Sequence, residues 1–132
     1  MRFQITFFSM IIFVISFSAL PQTVETITSS FNASGGVSID DSGIVYVADF
    51  GQFLNQANGT KVYKVYDDGN GTTVEFATGL FGASGNAFDS QGNLFQSNIA
   101  GNRLSKITSD GTVTTFCYQW NTGSGGGCSS RW

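Results

Sequence analysis

Hydrophobic and polar positions fall into two regimes along the chain. From Phe7 to Phe17 eleven residues run apolar, broken only by Ser9 and Ser16. After residue 20, short runs rich in Val, Ile, Tyr, Phe and Thr alternate with clusters of Gly, Asn, Asp and Ser. None of these runs carries the i, i+3, i+4 spacing of a helix face. Each is bounded by turn formers, which predicts strands near Gly36–Ile39, Ile44–Ala48, Lys61–Tyr66 and Thr73–Ala77. Asp40-Asp-Ser-Gly43 and Asp89-Ser-Gln-Gly92 place Asp first and Gly last in a type I turn. Asp68-Gly69 and Asp110-Gly111 are hairpin signals.

The same pattern occurs twice. Gly36-Val-Ser-Ile-Asp40-Asp-Ser-Gly43-Ile-Val-Tyr-Val47 aligns with Gly85-Asn-Ala-Phe-Asp89-Ser-Gln-Gly92-Asn-Leu-Phe-Gln96 at an offset of 49 residues. Val62-Tyr-Lys64-Val65 aligns with Leu104-Ser-Lys106-Ile107 at offset 42, and Phe76 with Phe116 at offset 40. The first copy is longer mainly in the loop from Gly51 to Thr60, where insertions are tolerated. Four antiparallel strands in a repeat of roughly 40–50 residues describe a propeller blade. The fold class expected is therefore all-β, with two four-stranded antiparallel blades in an incomplete propeller. Blade repeat 1 spans 30–84 and a partial repeat 2 spans 85–116.

Composition narrows the picture further. Charged residues are 11% of the chain and the formal net charge is −3, without a basic cluster, which argues against a nucleic-acid partner. There is no histidine, so Ser-His-Asp and Cys-His nucleophile pairs and imidazole metal sites are excluded. Arg2 before the apolar run, and Ser16-Phe17-Ser18 after it, read as a signal peptide over residues 1–18, cut before Ala19. The run is shorter than the roughly 20 residues of a spanning helix. Secretion to an extracellular or periplasmic space follows, with no stable membrane span after cleavage.

Gly36-Val-Ser-Ile-Asp-x-x-Gly43-x-Val-Tyr-Val-Ala-Asp49 resembles the repeat of NHL-type propellers. So does Ala87-Phe-Asp89-x-x-Gly92-Asn-Leu-Phe, followed by Gly101-Asn-Arg103-Leu-x-Lys106-Ile. The pattern is also similar to the gluconolactonase (regucalcin-like) superfamily. The resemblance covers about Gly36 to Phe116 and implies a six-bladed parent of which this chain holds two blades. For the NHL-like reading it implies a binding or scaffold role, toward an extracellular ligand or protein that the sequence does not name. For the gluconolactonase-like reading it implies a sugar-lactone hydrolase, in which a calcium-class divalent metal polarises the carbonyl and activates water. That family's metal is held by Glu, Asn and Asp from several blades. One such Asn precedes the Gly of a Gly-x-Ala-Phe-Asp run, and here Ser84 stands in that place. Asn86 occupies a position where the family prefers an apolar residue.

No catalytic set and no cofactor-binding residue emerge from this chain. Asp49 and Asn98, each just after the second strand of its repeat, are the candidate metal ligands, because loop oxygens at a blade end suit calcium. Their structural reading is loop bonding. Asp40 and Asp89 are read as acceptors for the amides of the turns they open. Asn32-Ala-Ser34, Asn58-Gly-Thr60 and Asn70-Gly-Thr72 fit the N-glycosylation acceptor. Two blades alone are expected to leave two open apolar faces, so that the isolated chain is poorly folded or self-associating.

The tail, residues 117–132, loses the pattern directly after Phe116. Read from the second base of the Cys117 codon, permitted codons give Ala-Thr-Ser-Gly-Ile-Gln, a counterpart of Phe76-Ala-Thr-Gly-Leu-Phe. The tail is therefore expected to be a frameshifted third blade, and the alternative is a genuine Gly-rich tail. Cys117 and Cys128 can be joined in an exported protein. Their place in the tail marks the pair as incidental.

Overall fold

The computed structural model describes residues 23–31, 33–52 and 56–118. The expected signal peptide, Asn32 and residues 119–132 lie outside them. The described chain is all-β, with eight strands in chain order: β1 Ser34–Ile39, β2 Val45–Asp49, β3 Val62–Val65, β4 Thr73–Ala77, β5 Ala83–Phe88, β6 Leu94–Asn98, β7 Arg103–Ile107 and β8 Val113–Tyr118. They form two antiparallel four-stranded sheets, β1-β2-β3-β4 and β5-β6-β7-β8. Each expected strand of the first repeat appears within a few residues of its place, and the second sheet repeats the first.

Local chemistry sets the registers. Gly43 donates its amide to the Asp40 carbonyl at 2.9 Å, and Gly92 donates to Asp89 at 3.1 Å. Both glycines sit at positive φ, +85° and +78°, which a Cβ disfavours. The turn aspartates then secure the loops with their side chains. Asp40 Oδ1 accepts from the amides of Ser42 and Ile44, and Asp89 Oδ1 from those of Gln91 and Asn93. These are the turn acceptors expected from the sequence. Even the irregularities recur: β1–β2 shifts register between Ser34 and Val37, and β5–β6 between Ala83 and Asn86. A second shift falls between Val62 and Tyr63 in β3 and between Leu104 and Ser105 in β7.

Alternation gives each sheet two faces. On sheet 1, Tyr46, Ala48, Val62 and Ala77 face sheet 2. There they meet Leu80, Ala83, Leu94 and Ile107 in one core, with Phe76 and Phe88 against it. Tyr46 makes edge-on contacts with both Phe76 and Phe88, each at 4.9 Å between ring centroids. Such geometry adds to area burial because ring edges and faces carry opposite partial charge.

The first strands of the two sheets, β1 and β5, come closest. A Cβ on Gly35 would lie 2.4 Å from the Ala83 carbonyl oxygen, and one on Gly36 would lie 2.4 Å from the Asn86 amide. Only glycine permits that approach. Across it, the Ser38 hydroxyl donates to Asn86 Oδ1 at 2.7 Å, and Asn86 Nδ2 donates to the Gly36 carbonyl at 3.2 Å.

The linker from β4 to β5 buries Leu80 and is held by Arg103. The Arg103 guanidinium stacks 4.1 Å from the Phe81 ring centroid and donates to the Gly79 carbonyl at 3.3 Å.

The far face of sheet 1 carries Val45, Val47, Tyr63 and Val65. Phe31 brings its ring to 5.5 Å from Tyr63 on that face, and Ile27 passes against Gly71. Val47 and Val65 are only 6% and 2% exposed.

Strand β8 runs two residues beyond the expected end of repeat 2, because Cys117 and Tyr118 pair with Leu104 and Arg103. Cys117 is buried and held in a disulfide. The reading of this cysteine as incidental is thus corrected: it is part of the sheet and chemically tied.

Candidate functional site

Asp49 and Asn98 occupy equivalent positions, the last residues of β2 and β6, opposite Ser34 and Ala83. Their surroundings differ. Asp49 is half-buried, and its Oδ1 accepts the Gly51 amide at 3.0 Å. It borders a depression of about 170 Å³ with Ser30, Phe31, Tyr63 and Thr73.

Asn98 is buried. Its Oδ1 accepts the Phe81 amide at 3.0 Å, and its Nδ2 donates to the Gln96 carbonyl and to Ser105 Oγ, each at 3.0 Å. A metal at Asn98 would compete with the Phe81 amide for the one carboxamide oxygen.

Asn98 belongs to a polar layer that sequence reasoning missed. Gln96, Asn98 and Ser105 are 0–2% exposed on the face that also carries Leu94 and Ile107. Gln96 Nε2 donates to the Ser84, Gly85 and Ser97 carbonyls at 2.9–3.2 Å. Buried amides are tolerated when bonded in this way. Among the described residues, Gln96 Oε1 and Arg103 Nε are buried without a hydrogen-bond partner. The corresponding first-repeat residues are Val47, Asp49 and Tyr63, so one signal was a polar triplet replacing them at offsets 49 and 42.

Asp49 and Asn98 are not brought into one site. Asn98 borders a different and larger cavity, about 370 Å³, with Ser84, Ser97, Ile99, Arg103 and Leu104 among its walls. Among the described residues, no three His, Cys, Asp or Glu side chains gather where they could hold a metal ion. Ser84 lies on this cavity wall. Asn86, set aside as no substitute ligand, lies instead in the contact between β1 and β5. Of the glycosylation acceptors, Asn58 and Asn70 are exposed and Asn32 lies outside the described residues.

Two strong electrostatic perturbations belong to structural groups. Burial, then the hydrogen bond to Asp40, pushes the Tyr46 hydroxyl up to about 12. The Thr72 hydroxyl, aided by the Asn70 and Thr72 amides, holds the Asp68 carboxyl down to about 2. The Asn93 side chain foremost lowers Asp89, and the Thr108 hydroxyl foremost lowers Asp110. All three lowered carboxylates cap turns, one in each of three hairpins, and each stays charged to do so.

Compared with known protein families and with curated proteins, the chain matches none. The site must be read from its own residues. What they assemble is an apolar cavity with a hydrogen-bonding rim of serines, an asparagine and an arginine. Among the described residues its walls carry no carboxylate.

Proposed function

We propose that this chain is an exported NHL-like propeller repeat protein, or part of one, with a binding or scaffold role and no catalytic site of its own. The observation that carries this reading is a surface repeated in space. On sheet 1, Tyr46 and Phe76 meet at 4.9 Å and 85°, with the Lys64 ammonium 4.6 Å from the Phe76 ring centroid. That face receives sheet 2. On sheet 2 the equivalent Phe95 and Phe116 meet at 4.9 Å and 89°, and Lys106 follows at the place of Lys64. A face patterned for stacking recurs one sheet further on, which suits a modular array that recognises its ligands by surface.

The competing lactonase reading needs oxygen ligands converging on one ion. Secreted chain assayed on a panel of sugar lactones with added calcium or manganese should hydrolyse none above the blank. Metal-dependent turnover would transfer the chain to the hydrolase class. N-terminal sequencing of the secreted material tests export, with Ala19 as the expected first residue. Full-length chain retained in a membrane fraction would contradict it.

A further inference from the structure

The contact between β1 and β5 occupies one side of each strand and leaves the other side open. On the open side of β1, Val37 and Ile39 are 57% and 63% exposed. On the open side of β5, Gly85 and Ala87 are exposed. By the offset of 49, Val37 is the equivalent of Asn86, Ile39 of Phe88, Gly85 of Gly36 and Ala87 of Ser38. The open sides therefore carry the two halves of the contact already made inside the chain. β1 repeats the half that β5 contributes, and β5 repeats the half that β1 contributes.

We propose that these two sides bind one another between copies of this chain, head to tail. β1 of one copy is seated on β5 of its neighbour as β5 is seated on β1 within the chain. The first support is a glycine without a local reason. Gly36 is required because a Cβ there would lie 2.4 Å from the Asn86 amide. Gly85 is not at positive φ, and among the described residues beyond its chain neighbours a Cβ would meet only Ser97 Oγ, at 3.6 Å. An approaching strand of a second copy supplies the requirement that its own chain does not. Ser84 stands in the place of Gly35, so that strand comes closest at Gly85 and toward Ala87.

The second support is a matched change of chemistry. Inside the chain the contact is polar on both sides, with the Ser38 hydroxyl donating to Asn86 Oδ1 at 2.7 Å. The equivalent pair between copies is Ala87 against Val37, apolar on both sides. A change on one side alone would strand a carboxamide or a hydroxyl in the contact. The joint change marks a second copy, rather than an unrelated partner, as the occupant. Third, Phe88 packs on the Tyr46 ring at 4.9 Å, and the same offset sets Ile39 against the half-buried Phe95. The segment 27–31 leaves this side of β1 open, since Phe31 lies on Tyr63 of β3 and Ile27 on Gly71 in the turn that follows. The two surfaces differ, so the contact is heterologous. The inference rests on the two-sheet fold and not on the binding role proposed above.

Sedimentation velocity of the full chain, as secreted, tests the contact. The parent should sediment faster as its concentration rises. Val37→Asp and Ala87→Asp should each weaken association by at least about tenfold, because each buries an unpaired charge. Each variant alone should stay monomeric where the parent associates. Mixed in equal amounts, the two should form a dimer and nothing larger, since one keeps the β5 side intact and the other keeps the β1 side. If an aspartate variant loses the β signature in far-ultraviolet circular dichroism, Ile39→Ser on the β1 side or Gly85→Ala on the β5 side takes its place. A parent that stays monomeric throughout would overturn the proposal. Association that survives both substitutions would overturn it too, by placing the contact elsewhere. Loss with only one of the two would show a like-to-like contact, and a mixture that stays monomeric would show that the two sides do not meet; either defeats the inference.

Discussion

At the scale of single residues, the fold depends on backbone approach more than on side-chain bulk. Gly36 and Gly85 occupy the same position in the two repeats, yet their surroundings are opposite. A Cβ on Gly36 would collide with backbone atoms of Ser84, Gly85 and Asn86, whereas among the described residues one on Gly85 would meet only Ser97 Oγ, at 3.6 Å. Gly36→Ala should therefore cost about 1–3 kcal/mol in denaturant titration, and Gly85→Ala should stay within about 0.5 kcal/mol of the parent. Equal effects at the two sites would mean that β1 and β5 are not in contact. The turn carboxylates carry the pH response. Asp68 is held at about 2, below its ordinary 3.8, so its folded form prefers the charged state. Its contribution to stability is whole above the ordinary value and is lost as pH falls through about 2. Asp68 is fully exposed, so screening keeps that contribution small. A carboxyl titration followed by NMR should find Asp68 titrating at about 2, below its ordinary 3.8. Thr72→Val should raise it, and an unshifted value in the parent would show that the Thr72 hydroxyl does not engage it.

At the scale of strands and sheets, the buried polar layer of β6 and β7 carries the most specific prediction. Asn98→Ala would strand the Phe81 amide and the Ser105 hydroxyl, and it should destabilise the chain by about 1–3 kcal/mol. Asp49→Ala, at the half-buried twin position, should cost visibly less by thermal melting. An Asn98 variant as stable as the parent would mean that the carboxamide is free for another ligand, a metal included. The strands and their turns were legible in the sequence, because Asp and Gly punctuate them and β-branched and aromatic residues fill them. The polar layer was not. Leu94, Gln96 and Asn98 alternate along β6 in a way that reads as a half-solvated face, and only contact with sheet 1 makes that face interior. Asn86 was equally opaque. A polar residue among apolar expectations looked like a departure, whereas its amide joins the two sheets through Ser38 and Gly36. Contacts between repeats leave little trace in the sequence of either one.

At the scale of the whole molecule, the two sheets have unequal outer faces. Residues 27–31 pass along part of the outer face of sheet 1, where Val47 and Val65 are buried. The outer face of sheet 2 repeats the stacking pattern of sheet 1 and holds the larger cavity. Two copies of one repeat stack face to face through the glycines of β1. The most direct measurement is the network of ring-to-ring nuclear Overhauser contacts in the secreted chain. Cross-peaks are expected from the Tyr46 ring to Phe76, within its own sheet, and to Phe88, across the interface. Contacts from Tyr46 to Phe76 and from Phe95 to Phe116, without any from Tyr46 to Phe88, would show two formed sheets that do not stack, and would contradict the face-to-face arrangement.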